Sequence, residues 1–200
     1  MANNPFGASY SLGLYVAGGD VNRDGRADII VGAGSGGTPD VKIISGLDGT
    51  TTLANFFAFA SNFTGGVTVG GGDVNNDGFA DIIAGAASGA DTVKVFSGKD
   101  LSVWDSFAAF GSSAMGVFVG SGDVNGDGFA GEDSGESSIV KAFDGQTLAA
   151  LSSFQPNGPS DTKGVFVAAI PEPATWATML TGLGLLGFSI VHGKRGPGAC

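Results

Sequence analysis

Along most of the chain, apolar residues alternate with polar ones or fall in short β-branched runs, and clusters of Gly, Asp, Ser and Asn separate them. Between Gly66 and Phe110 this pattern predicts four strands, at 66–70, 80–85, 92–97 and 101–110. Outside the C-terminal segment no window carries an apolar stripe at helical spacing. The layout then repeats. Gly13-Leu14-Tyr15-Val16-Ala17-Gly18-Gly19-Asp20 returns as Gly66-Val67-Thr68-Val69-Gly70-Gly71-Gly72-Asp73 and as Gly116-Val117-Phe118-Val119-Gly120-Ser121-Gly122-Asp123. A fourth start, Gly164-Val165-Phe166-Val167-Ala168, is cut off by Pro171. Further along each unit, Val41-Lys42-Ile43-Ile44 matches Val93-Lys94-Val95-Phe96 and Val140-Lys141-Ala142-Phe143.

Four antiparallel strands per unit, at a period of about fifty residues, is the pattern of a propeller blade. The expectation is an all-β chain of tandem four-stranded antiparallel blades, an incomplete β-propeller. Repeat 1 spans 13–65, repeat 2 spans 66–115, a degenerate repeat 3 spans 116–163, and a truncated fourth occupies 164–170. Residues 1–12 are expected to be the remnant of a preceding blade, because Phe6 to Leu12 aligns with Phe59 to Gly65. Three blades do not close a ring, so either further blades belong to a longer product or the open edges pair with another copy.

Composition sharpens this picture. The 200 residues include 37 glycines without a collagen period, and 42% are hydrophobic, which excludes a disordered chain. The net charge is −10 with only nine Lys and Arg, so nucleic acid and anionic lipid surfaces are excluded as partners of a basic patch. Cys200 is the single cysteine and His192 the single histidine. Ser-His-Asp and Cys-His catalysis and imidazole-bound zinc are therefore not expected in the repeats. Gly34-Ser35-Gly36-Gly37 lacks the Lys-Ser/Thr of a phosphate loop and reads as a hairpin turn.

The acidic residues have a pattern of their own. Asp20, Asn22, Asp24 and Asp28 form D-x-N-x-D-G-x-x-D, and Asp73, Asn75, Asp77 and Asp81 repeat it in full. Side-chain oxygens at alternate positions, a glycine sixth, the backbone carbonyl of the seventh residue (Arg26 or Phe79) and a closing carboxylate make an all-oxygen set suited to Ca²⁺. A plain polar hairpin turn is the competing reading, since D-G and N-D-G sequences favour turns by themselves. The third copy offers Asp123, Asn125, Asp127 and the Phe129 carbonyl but has Gly131 where the closing Asp should stand, and its unit is about three residues short. That site is expected to be weak or empty. An EF-hand needs Glu at position twelve and flanking helices, whereas these loops have Val31, Ala84 and Ser134 there. A dockerin loop also leads into a helix, and the strand context rejects both.

The units resemble FG-GAP/VCBS-type repeats, the calcium-binding blades of integrin alpha-subunit propellers and many bacterial surface proteins. The resemblance covers residues 6–167. It rests on Gly-Asp-Val-Asn-x-Asp-Gly-x-Ala-Asp-Ile-Ile, on Val-Lys-Val-Phe-Ser-Gly, and on the Phe-rich strand ending in Asn62-Phe63-Thr64-Gly65-Gly66. It implies a propeller, bound Ca²⁺, and a polysaccharide or protein ligand on the blade loops.

The C-terminus differs in kind. Residues 174–191 carry no charge and are followed by Lys194-Arg195, which predicts one transmembrane helix with a basic stop. Pro171-Glu172-Pro173, the apolar span and Lys194-Arg195 together resemble a PEP-CTERM sorting signal over 171–195, with 196–200 as a tail. The resemblance implies processing by an exosortase and a place in the cell envelope. No signal peptide precedes the repeats, and a missing N-terminal part would explain that. The expected function is non-enzymatic: a calcium-stabilised surface protein for adhesion or ligand binding. The alternatives are a propeller-based hydrolase fragment and a non-functional truncated product. Asp105, Asp144 and Asp161 read as turn or strand-end residues rather than catalytic ones.

Overall fold

The computed structural model describes residues 4–111, 114–121, 128–133, 139–145 and 147–155. Twelve strands, and no helix, occur among the described residues. They form three four-stranded antiparallel sheets in which spatial order follows chain order. The first contains β1 (Leu14–Gly19), β2 (Asp28–Ala33), β3 (Asp40–Ile44) and β4 (Thr52–Phe57). The second contains β5 (Val67–Gly72), β6 (Asp81–Ala86), β7 (Thr92–Phe96) and β8 (Val103–Ala108). The third contains β9 (Val117–Ser121), β10 (Gly128–Asp133), β11 (Val140–Asp144) and β12 (Ala150–Phe154). The expected all-β architecture is present. The expected helix at 174–191 lies outside the described residues, and no helix among those described is long and apolar enough to cross a membrane.

Alternation within each strand decides which sheets meet. Ile30, Val41 and Ile43 point from the first sheet into a core with Val67, Val69 and Ile82 of the second. The opposite face of the second sheet sends Ile83, Val93 and Val95 to Val117 and Phe143 of the third. Strand β5 lies against β1, and β9 against β5, so the first strand of each sheet is where neighbours come closest. Across this inner region the Tyr15 and Phe118 rings stand 6.0 Å apart. The leading face of the first sheet is uncovered: Leu14 and Val16 are 42% and 63% exposed, whereas their counterparts Val67 and Val69 are 0% and 6%.

Close approach at the inner strands requires glycine. A Cβ on Gly32 would stand 2.1 Å from the Val67 carbonyl oxygen, and one on Gly85 would meet the Thr68 hydroxyl at 2.5 Å. The buried Thr68 hydroxyl donates to the Val117 carbonyl at 2.7 Å, tying the second sheet to the third. Each sheet also carries a bulge where its third strand meets its fourth, at Ile43/Ile44, Val95/Phe96 and Ala142/Phe143.

A lysine on each third strand binds the segment that precedes its sheet. Lys94 lies 5.6 Å from the Phe59 ring centroid, and Lys141 lies 4.9 Å from that of Phe110. Lys141 Nζ also donates to the Ala109 carbonyl at 2.8 Å. Lys42 does the same to residues 4–12, donating to the Pro5 carbonyl and lying 5.7 Å from the Phe6 ring. Phe6 and Tyr10 pack at 5.1 Å, as Phe59 and Phe63 do at 5.0 Å. The alignment of these two segments therefore holds in three dimensions, although residues 4–12 form turns and contain no strand. Replacing Lys141 with Met should remove the hydrogen bond and the ring contact and destabilise the protein by about 1–2 kcal/mol. Urea unfolding measures this directly, and an unchanged midpoint would show that the contact adds nothing.

Candidate metal-binding loops

The loops joining β1 to β2 and β5 to β6 have one conformation. Arg23 and Asn76 are both left-handed, at φ 58°, and Gly25 and Gly78 follow at φ 86° and 89°. The sixth-position glycine thus makes the sharp turn that the motif predicts. Side chains lock the turn onto its own backbone. Asp20 accepts the amides of Asp24 at 3.0 Å and Gly25 at 2.8 Å, and Asp73 accepts those of Asp77 at 3.0 Å and Gly78 at 2.9 Å. The Asn22 and Asn75 carbonyls also accept the Asp24 and Asp77 amides, at 3.0 and 2.9 Å. Asp24 and Asp77 in turn accept the amides of Arg26 at 2.9 Å and Phe79 at 3.0 Å.

The closing aspartates behave differently. Asp28 is 1% exposed and Asp81 is 0% exposed. Asp28 accepts amides from Val21 at 3.1 Å, Asn22 at 3.3 Å and Gly46 at 3.0 Å. Asp81 accepts them from Val74 at 3.1 Å and Gly98 at 2.9 Å. Burial pushes the Asp81 carboxyl up from its ordinary value, opposed by those amide bonds, and the nearby Asp77 and Asp73 carboxylates push it further up. Each closing aspartate thus ties the loop to the turn between the third and fourth strands. This explains the Ser-Gly ending of the Val-Lys-Val-Phe-Ser-Gly motif. A Cβ on Gly46 or Gly98 would stand 2.0 or 2.2 Å from the carbonyl oxygen of Ala27 or Ala80. Sequence reasoning recorded those glycines without seeing that they serve the aspartates.

The loops do not gather their carboxylates into a finished cage. No group of three or more His, Cys, Asp or Glu side chains among the described residues is placed to hold a metal ion. The donor set nevertheless suits a hard cation in kind. An ionised carboxylate has about four lone-pair sites, so Asp20, Asp24, Asp73 and Asp77 keep acceptor capacity beyond their amide bonds. Asn22, Asn75 and the carbonyls of Arg26 and Phe79 follow on the same two turns. Asp28 and Asp81 differ from the other loop acids in being buried and in reaching the amides of Gly46 and Gly98 beyond the third strand.

The third loop differs more. Asp123, Asn125 and Asp127 lie outside the described residues, as do Pro171, Glu172, Pro173, Lys194 and Arg195. Phe129, expected to give a loop carbonyl, lies within β10 and pairs with Ser121 and Phe143. Lys141 faces Gly131 across the ladder, just as Lys42 faces Val31 and Lys94 faces Ala84. Gly128, not Gly131, therefore occupies the place of Asp28 and Asp81. From the first aspartate to the closing position is five residues here (Asp123 to Gly128) against eight in the other two units, and the closing position is glycine.

Residues 20–84 match the family of FG-GAP-like repeats. The matched stretch runs from the first aspartate loop to β6, so the FG-GAP-like signal contains both complete motifs. Among solved structures the chain is similar to one described as the crystal structure of exotype rhamnogalacturonan lyase YesX. That likeness has a TM-score of 0.53 at 16% identity, over 80% of this chain. It is a likeness of fold, to a propeller-like neighbour, and the chain spans 36% of that structure's length. No curated protein matches the sequence.

Proposed function

We propose that the chain is a non-enzymatic, calcium-stabilised propeller protein of a bacterial cell surface, held there by segment 171–195 and offering its blade loops to a polysaccharide or protein. The observation that carries the calcium reading is the duplicated turn. Two adjacent blades present the same Asp-x-Asn-x-Asp-Gly loop in the same conformation at the same end of the sheets. Asp20, Asn22, Asp24 and the Arg26 carbonyl would hold one ion, and Asp73, Asn75, Asp77 and the Phe79 carbonyl a second. Asp28 and Asp81 would join them by exchanging an amide bond for the ion. A bound ion supplies positive charge that relieves repulsion among these carboxylates and stiffens the loop.

The enzymatic alternative takes its support from the neighbour described as a lyase. Nothing among the described residues beyond the fold favours it: the two complete loops hold acids and amides without a histidine, and the sequence's single histidine is His192. Anchoring rests on the uncharged run 174–191 between Pro171-Glu172-Pro173 and Lys194-Arg195. Equilibrium dialysis against Ca²⁺ tests the central reading. Two ions per chain are expected, with dissociation constants of about 10⁻⁴–10⁻³ M, the range of extracellular modules. No uptake at millimolar Ca²⁺ would overturn it.

A further inference from the structure

The two complete loops are in contact with each other, and the contact is asymmetric. Arg23, at the fourth position of the first loop, extends across to the second. Its Cζ lies 5.7 Å from the Phe79 ring centroid. Its guanidinium also covers Gly78, where an added Cβ would stand 2.9 Å from Cζ and 3.0 Å from Nε. Beside it, the Ala80 amide donates to the Asp20 carbonyl at 2.9 Å. Residues 78–80 of the second loop therefore rest on residues 20–23 of the first. The second loop has Asn76 where the first has Arg23, so no guanidinium stands at that position of the second loop.

We infer that Arg23 is a positioning residue for the second loop and couples ion binding at the two loops. This rests on the calcium reading above. The segment that Arg23 covers is the one that offers the Phe79 carbonyl and receives the Asp77 hydrogen bond at the Phe79 amide. Holding Gly78 and Phe79 in place orders the second loop before an ion arrives, which lowers the entropy lost on binding. Coupling of this kind is reciprocal, so an ion that stiffens the first loop tightens the second, and the reverse. Planarity is the property that matters. A guanidinium stacks flat on both a ring and a glycine backbone, and an ammonium does not.

The test separates the loops by disabling each in turn. In an Asp24→Ala background only the second loop binds Ca²⁺, and in an Asp77→Ala background only the first. Adding Arg23→Ala should weaken the second loop about 3- to 10-fold and leave the first within about twofold. The second loop of the unmodified protein should bind about 3- to 10-fold tighter than that of Asp24→Ala, a coupling of the usual size that Arg23→Ala abolishes. Arg23→Lys should recover little of the loss. Amide hydrogen exchange on the metal-free full chain gives a readout independent of any ion: the Phe79 amide should exchange several-fold faster in Arg23→Ala, while the Arg26 amide is unchanged. An unaltered second-loop constant would overturn the inference. So would a tightened one, which would mean that Arg23 acts as a competing charge. Absence of Ca²⁺ uptake by the unmodified protein marks failure of the calcium reading instead and removes the coupling with it. Unchanged exchange at Phe79 would then also overturn the positioning role.

Discussion

Adding 10 mM Ca²⁺ should raise the melting temperature by roughly 10–20 °C, and Asp24→Ala or Asp77→Ala should each remove about half of that gain. The estimate follows from linkage. At a dissociation constant of about 10⁻⁴ M, a hundredfold excess of ion stabilises a site by about 2.7 kcal/mol, and two such sites by about 5. In a domain of 150–250 residues each kcal/mol is worth about 2–4 °C. Either substitution also lowers the calcium-free melting temperature, because Asp24 and Asp77 accept the amides of Arg26 and Phe79. The quantity to compare is therefore the increment due to calcium, measured by calorimetry with and without chelator.

Asp48→Ala provides the discriminating control. Asp48 caps another exposed turn, accepting the amides of Thr50 and Thr51 at 2.8 Å each. These bonds and the Thr51 hydroxyl hold its carboxyl well below the usual range. If the aspartate loops were only polar turns, Asp24→Ala and Asp48→Ala would lower stability alike and neither would change the response to calcium. If they bind the ion, Asp48→Ala keeps the full increment and Asp24→Ala does not.

Most of the architecture was legible because strand alternation and a repeat of about fifty residues are local signals. The strands expected at 66–70, 80–85, 92–97 and 101–110 appear as Val67–Gly72, Asp81–Ala86, Thr92–Phe96 and Val103–Ala108. The third unit was misaligned because the Asp-x-Asn-x-Asp-Gly motif dominated the comparison. Its lysine carried the better signal. Ten residues separate Ala84 from Lys94 across the hairpin, and ten before Lys141 is Gly131. That count places Gly131 mid-strand and ends the loop at Gly128. The bonds from Asp28 to Gly46 and from Asp81 to Gly98 were not legible, because they join residues 18 and 17 apart in the chain. Nor was the Arg23 contact with Phe79, which joins one blade to the next. Glycine was assigned to turns around ions and between strands. That accounts for Gly25 and Gly78 but not for the glycines within strands.

Gly32→Ala is the sharpest test of that second use of glycine, and it should destabilise the protein by about 3 kcal/mol, or roughly 6–12 °C. The new methyl would stand 2.1 Å from the Val67 carbonyl oxygen and 3.1 Å from its carbon. Neither is the end of a flexible side chain. Both belong to β5, which is hydrogen-bonded along its length to β6, so relief requires the second sheet to move off the first. Such a shift would loosen the packing of Ile30, Val41 and Ile43 against Val67 and Ile82, all of them 0% exposed. Gly18→Ala is the matched control in the same sheet. Its nearest neighbour would be the Asp28 carbonyl oxygen at 3.8 Å, ordinary contact, so a change within about 0.5 kcal/mol is expected. Equal losses at Gly18 and Gly32 would mean that glycine serves the strand itself and not the contact between blades. Register gives Gly32 a counterpart in the second sheet, because Gly85 lies opposite Thr68 as Gly32 lies opposite Tyr15. Gly85→Ala should behave like Gly32→Ala, because its methyl would stand 2.9 Å from the Val117 carbonyl oxygen of the third sheet.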